Sequence, residues 1–260
     1  MISVESESFV DEHDVRGMVR LLGEVAANHD SHAAKKRLLM EGLCRLVGAD
    51  YWVWSVSASH GQDGRPAYMN ALNGGFEPDQ FGWLMNAVDH PDMKALIAPF
   101  VAELAEKRTH LTRRLYQTYP EEAWPTEAVV NLWKEAGIGA IMLSFRPLDE
   151  KQLSAITLYR RLGRPLFDAR EARIAHIVLT EVPQLHAEGW SQDRGATLPG
   201  LAPRPRTVLN LLLQGLSRKE IATSIGITEG TVNDYVKVVY KRFRVQSQSQ
   251  LMNRFLRGAA

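Results

Sequence analysis

Cysteine is nearly absent: Cys44 is the single thiol in 260 residues. That count excludes an intrachain disulfide and a cysteine-rich zinc site, and it fits a reducing compartment. Long hydrophobic runs are absent as well. No apolar stretch approaches the roughly 18 residues that cross a bilayer, and residues 1–14 are acidic where a secretory signal is basic and then apolar. The expectation is a cytoplasmic protein with no membrane partner. Catalytic signatures are missing too, since there is no Gly-rich phosphate loop and no nucleophile elbow. His29 and His32 share helical spacing, but Asp30 and the neighbouring loop do not complete a metal set. The chain therefore reads as not an enzyme, with no cofactor and no metal site.

Net charge is also small, +1 overall, with 45% hydrophobic and 23% charged residues. The average conceals two segments of opposite sign. Residues 201–260 hold ten Lys/Arg (Arg204, Arg206, Arg218, Lys219, Lys237, Lys241, Arg242, Arg244, Arg254, Arg257) against Glu220, Glu229 and Asp234, a balance of +7, which leaves −6 on residues 1–200. A compact basic module on an acidic body has the footprint of a polyanion reader, because Lys and Arg that neutralise phosphates release condensed counterions. A solvated basic tail is the plainer alternative on charge alone.

Between the two lies AEGWSQDRGATLPG, residues 187–200, whose glycines and Pro199 interrupt any periodicity. The expected division is a sensory or dimerisation domain over 1–190, a linker over 191–200 and a DNA-binding domain over 201–260. No internal repeat is present.

In the larger segment, helical spacing covers 14–28 and 33–47, and Cys44 beside Leu43 reads as a small buried thiol. DYWVWSVS is a strand pattern with Trp52, Trp54 and Val56 on one face and Tyr51 and Val53 on the other. A second strand is expected over 67–72, then helices over 79–88 and 92–106. A loop-rich region with Pro120 and Pro125 follows, and then a short helix over 127–135. GAIMLSFRP and KQLSAITLYRR, joined by LDE, form an antiparallel hairpin, and Asp168 caps a long helix over 169–186. Helices outside and strands inside predict an α+β domain, an antiparallel sheet flanked by helices. The order of elements, carried by residues 41–57 and 139–182, resembles GAF-like and PAS-like sensory domains.

The last 60 residues spell four short helices. The first, 204–214, buries Val208, Leu209, Leu212 and Leu213 and stops at Gly215. Ser217 with Glu220 makes a capping box for the second, which buries Ile221, Ala222 and Ile225 before Gly226 turns the chain. Thr228 caps the third, where Val232, Val236, Val239 and Phe243 form one stripe and Asn233, Asp234, Lys237, Lys241 and Arg244 occupy the other side. Ser247 with Gln250 starts a fourth bearing Leu251, Met252 and Phe255. A helix apolar on one side and rich in amides and cations on the other can pack on a neighbour while entering a major groove.

GLSRKEIATSIGITEGTVNDYVKVVYKRF is similar to the LuxR-type helix-turn-helix, through G-L-S, K-E-I-A, G-I-[ST] and T-V at the family's spacing. Pro205 and Thr207 depart from it, standing where the family usually has glutamates. The resemblance implies an all-α four-helix domain that binds double-stranded DNA as a homodimer on paired half-sites, with RNA polymerase as a further partner if the protein is an activator. It places Asn233, Asp234 and Lys237 at base edges and Lys219, Thr231, Tyr240 and Lys241 near phosphates. Each role is chemically sound: Asn reads adenine, Lys donates to guanine, Asp accepts from cytosine, and hydroxyl or ammonium groups hold phosphates. Asp234 could instead pair with Lys237 or Lys241. Met252 and Phe255 are the implied dimer contacts, with packing inside the module as the alternative.

The sequence opposes a phosphoacceptor receiver domain for the larger segment, because the chain begins with helices and Asp50 precedes its strand. The spaced signature of acyl-homoserine-lactone receptors is not reproduced, and His90-Pro91-Asp92 has its order reversed. Trp52, Trp54, Tyr68, Trp83, Trp124 and Trp133 could line an apolar cavity over the sheet or simply form core. Trp54, Tyr68 and Met142, on expected strands, are the pocket candidates for a small-molecule effector. A ligand-independent protein–protein interaction module is the alternative.

Overall fold

The computed structural model describes residues 9–58, 67–115, 126–150, 152–188, 203–213 and 215–257. Two capped helices open the chain. Asp11 accepts the Asp14 amide in a capping box that starts α1 (Glu12–Ala27), and Ser31 accepts the Ala34 amide at the head of α2 (His32–Val47). Strands β1 (Tyr51–Ala58) and β2 (Ala67–Gly74) follow, then α3 (Pro78–Asp89), α4 (Pro91–Lys107), β3 (Leu111–Arg114) and α5 (Glu127–Glu135). The hairpin β4 (Ile138–Pro147) and β5 (Gln152–Arg161) leads to α6 (Ala169–Thr180) and α7 (Pro183–Ala187).

The five strands form one antiparallel sheet in the order β2-β1-β5-β4-β3. Because side chains alternate across a strand, β1 sends Trp52 and Trp54 to one face and Tyr51 and Val53 to the other. The first face packs on α1, α2, α6 and α7 through Leu39, Leu43, Met142, Leu158 and Val178. The second packs on α3, α4 and α5 through Phe81, Phe100, Val129, Trp133 and Phe145. This is the α+β architecture expected, with helices on both faces.

Two elements differ from the sequence-based expectation. The stretch after α4 contains β3, a four-residue edge strand whose Arg113 and Arg114 dilute any alternating pattern. The long helix expected over 169–186 is broken at Val182, since the residue before Pro183 is pushed out of helical geometry and sits at φ −120°. The connector over 191–200 and the loop around Pro120 and Pro125 lie outside the described residues. Cys44 is partly buried as expected, and burial together with Asp50 and Glu41 pushes its thiol up to about 12.

A polar seam runs through the interface between the sheet and the α6–α7 side. Trp54 donates its indole N–H to Ser154 Oγ at 2.9 Å, Ser154 bonds His186 Nδ1 at 2.8 Å, and His186 Nε2 donates to the Leu179 carbonyl at 2.9 Å. Since a carbonyl can only accept, His186 carries a proton on Nε2. Ser144 continues the pattern, bonded to His110 Nε2 and to Thr112 Oγ1 at 2.8 Å each. Burial pushes His110 down to about 3 and His186 to about 4, helped by the nearby positive charge of Arg146.

The C-terminal segment forms α8 (Pro203–Leu213), α9 (Arg218–Ser224), α10 (Glu229–Phe243) and α11 (Gln248–Arg257). Gln248 Nε2 donates to the carbonyls of Leu212 and Leu216 at 2.9 and 3.0 Å, satisfying acceptors freed at the end of α8. These helices do not stand apart from the sheet domain. α3 packs on α8 and α9, and one apolar cluster continues from the sheet through Phe81 and Leu84 to Leu209, Ile225 and Val236. Gly82 makes the approach close, because a Cβ there would lie 3.2 Å from both Ser224 O and Ile225 Cγ2.

Candidate nucleic-acid interface

The turn between α9 and α10 is built from local chemistry. Ser217 and Glu220 cap α9 reciprocally, and the Ser217 hydroxyl holds the Glu220 carboxyl below the usual carboxylate range. Gly226 then takes φ 65°, a left-handed position that a side chain would disfavour. Thr228 Oγ1 accepts the Thr231 amide at 3.2 Å and starts α10. Glu229 in its first turn and Lys241 and Arg242 in its last complement the helix dipole.

α10 divides cleanly. Val232, Val236, Val239 and Phe243 are buried in the four-helix core, at 4% exposure or less. Asp234, Lys237, Lys241, Arg242 and Arg244 are exposed, and Asn233, Thr231 and Tyr240 are half-buried. Lys219, on α9, is exposed as well. The surface expected to meet DNA therefore faces solvent, and among the described residues the main contacts of the sheet domain with this module run through α8 and α9.

Two pairs organise that surface. Lys237 Nζ donates to Asp234 Oδ1 at 2.9 Å, one of the two alternatives for Asp234. With both side chains more than 70% exposed, such a pair is worth at most a few tenths of a kcal/mol, about what surface i,i+3 pairs give. It therefore breaks at little cost. Arg218 Nη1 donates to Asn233 Oδ1 at 2.8 Å, joining the first residue of α9 to the second turn of α10. Fifteen residues separate them, so no local spacing signals the pair. Val238, 46% exposed, is an apolar residue on the solvent side of α10 that sequence patterning does not single out.

Thr231 Oγ1 is bonded to Thr228 Oγ1 at 2.9 Å. Tyr240 packs part of its ring on the apolar cluster. Met252 is half-buried beside the fully buried Leu251, and the Phe255 side chain lies outside the described residues.

In the sheet domain, Trp54 and Met142 are fully buried on the α1–α2–α6 side, where the Trp54 N–H is satisfied by Ser154. The Tyr68 backbone belongs to β2, and its side chain lies outside the described residues. On the opposite face Trp133, 5% exposed on α5, is different. Its Nε1 is buried with no acceptor among the described residues.

A capped short helix, a glycine turn and an amphipathic second helix with an exposed cationic face are the geometry of a helix-turn-helix. Residues 199–255 match the sequence model described as bacterial regulatory proteins, luxR family. The chain is 45% identical over 56 residues to a putative HTH-type transcriptional regulator in the exeN 3' region of Aeromonas salmonicida, covering 22% of this chain and 29% of the relative. It is 36% identical over 70 residues to a probable HTH-type transcriptional regulator, GfsR, of Streptomyces halstedii, covering 27% and 28%. The chain thus spans less than a third of the length of these curated relatives. Among solved structures, Escherichia coli SdiA matches with a TM-score of 0.45 at 14% identity, over 92% of this chain and 95% of that one.

Proposed function

We propose that the protein is a cytoplasmic transcriptional regulator that binds double-stranded DNA sequence-specifically, as a homodimer on paired half-sites. The observation that carries this reading is the division of α10, whose apolar stripe is buried while Asp234, Lys237 and Lys241 are exposed to solvent. The luxR-family match of residues 199–255 supports it. In this reading Asn233, Asp234 and Lys237 meet base edges, and Lys219, Thr231, Tyr240 and Lys241 meet phosphates. Met252 and Phe255 contribute to the dimer contact. Residues 1–190 act as a GAF/PAS-like regulatory domain, a reading supported by the five-stranded antiparallel sheet with helices on both faces.

Fluorescence anisotropy with a mixed-sequence 30-base-pair duplex tests DNA binding. Affinity should fall steeply between about 50 and 200 mM salt, because each phosphate contact releases counterions. Absence of binding at the lower salt overturns the reading.

For the regulatory domain, Trp133 favours a small-molecule effector. A buried indole N–H without an acceptor costs about 1–3 kcal/mol, and a ligand carbonyl or ether oxygen would recover much of that. Such a ligand would sit on the α3–α5 side of the sheet, against the helix that touches α9. A metabolite panel screened by thermal shift on wild type and Trp133→Phe tests this. The expected result is a ligand that stabilises wild type more than the variant. A stoichiometric protein partner co-purifying with the chain, and no metabolite effect, would favour the interaction-module alternative.

A further inference from the structure

The Arg218–Asn233 pair restricts what Asn233 can recognise. A free asparagine on a recognition helix meets adenine with both ends of its carboxamide, accepting from N6–H with Oδ1 and donating to N7 with Nδ2. Here Oδ1 is engaged, accepting from Arg218 Nη1 at 2.8 Å. The orientation of the carboxamide follows from chemistry, since a guanidinium has donors only and must face the oxygen. Nδ2 is then the end left to the groove. Arg218 is the first residue of α9, held there by the Ser217 and Glu220 cap, and Asn233 is fixed in α10 next to the buried Val232, so both members stand on rigid supports.

We propose that Arg218 is a specificity-setting positioning residue: by holding one lone pair of Asn233 Oδ1, it turns the Nδ2 end of the carboxamide to the groove and biases Asn233 towards guanine over adenine. The major-groove edge of guanine offers two acceptors, N7 and O6, while adenine places an N6–H₂ donor where Asn233 would present Nδ2. Adenine keeps the N7 acceptor but sets its N6–H₂ donor against the Nδ2 donor, so guanine, with two acceptors, is favoured. Arg218 itself need not touch the base, because its effect is exerted through Asn233.

This inference rests on the reading of α10 as the recognition helix, and the experiment separates the two. Full-length wild type, Arg218→Ala and Asn233→Ala are each used to select from a pool of duplexes carrying 20 random base pairs, and affinities are then measured for the selected duplex and its single-base variants. Asn233→Ala should flatten the preference at one position of each half-site, which marks the base that Asn233 reads. Wild type should prefer guanine there. Arg218→Ala, which frees Oδ1, should move the guanine-to-adenine ratio at that same position towards adenine by about tenfold or more, leaving other positions unchanged. Arg218→Lys, which keeps the charge and a donor but loses the planar fork, should fall between.

A wild-type preference for adenine at that position overturns the proposal. So does an unchanged ratio in Arg218→Ala, or an equal loss of affinity on every duplex, which would mark Arg218 as a phosphate contact. Failure of wild type to enrich any duplex would instead sink the DNA-binding reading itself.

Discussion

Acid should destabilise the sheet domain through its buried histidines. His110 and His186 are held neutral, pushed by burial from 6.5 down to about 3 and about 4. An unfolded chain exposes both at the ordinary value, so it takes up protons first as pH falls. The stability that depends on their neutrality is complete above pH 6.5 and is lost progressively as pH drops from 6.5 towards 4 and 3. Between pH 7.5 and pH 5, linkage gives a loss of about 2 kcal/mol for each histidine, about 4 kcal/mol together. That is a large part of the roughly 5–15 kcal/mol that holds a domain folded. His176, half-buried and also lowered by burial with Arg173 and Arg113, acts in the same direction.

Urea unfolding followed by tryptophan fluorescence is the assay. All six tryptophans precede residue 201, so the signal reports the sheet domain. With a slope of about 2–3 kcal/mol per molar, the urea midpoint should fall by about 1–2 M between pH 7.5 and pH 5. His110→Gln and His186→Gln, which cannot titrate, should each remove about half of that pH dependence whatever they do to the midpoint at neutral pH. A midpoint that is flat across this range, or a pH dependence that survives both substitutions together, would refute the reasoning.

Lys36 is fully buried, donates to the Glu188 carbonyl and lies 5.6 Å from the centroid of the Trp54 ring. Burial lowers it from 10.5 to about 8 against the opposing pull of Glu188, so stability should rise as pH increases from about 8 towards 10.5, and Lys36→Met should abolish that rise in alkaline urea titrations. Gly82→Leu should force α3 away from Ser224 and Ile225, separating the sheet domain from α8 and α9; calorimetry should then resolve two transitions where wild type shows one merged unfolding. Lys237→Ala should reduce discrimination between a selected duplex and its scrambled version by about 1–3 kcal/mol, whereas Lys241→Ala should weaken both alike. Equal losses on the two duplexes for both variants would contradict that division of roles.

The C-terminal module was legible because its signals are local. Capping pairs, glycine turns and a valine stripe at helical spacing act within a few residues, and Ser217 with Glu220, Gly226 and Val232 through Phe243 all stand where those rules put them. The same holds for β1, whose alternation placed Trp52 and Trp54 opposite Tyr51. Strand β3 escaped, since four residues with two arginines carry no period and depend on pairing with β4, about 30 residues away. The Arg218–Asn233 bond, the histidine seam and the seat of Gly82 on α9 all join residues distant in sequence. Patterning ranked Trp54 and Trp133 together as cavity candidates, and only packing distinguishes an indole satisfied by Ser154 from one with no acceptor among the described residues.

The central claim is that the solvent face of α10 enters duplex DNA, and thiol protection tests it most directly. Cys44 is partly buried with its thiol pushed up to about 12, so it should stay silent towards maleimide at neutral pH, and Asp234→Cys or Arg16→Cys supplies the reactive site. Saturating the protein with a selected duplex should sharply slow labelling at position 234 and leave position 16, on exposed α1, unchanged. Undiminished labelling at position 234 in the fully bound complex would contradict the account.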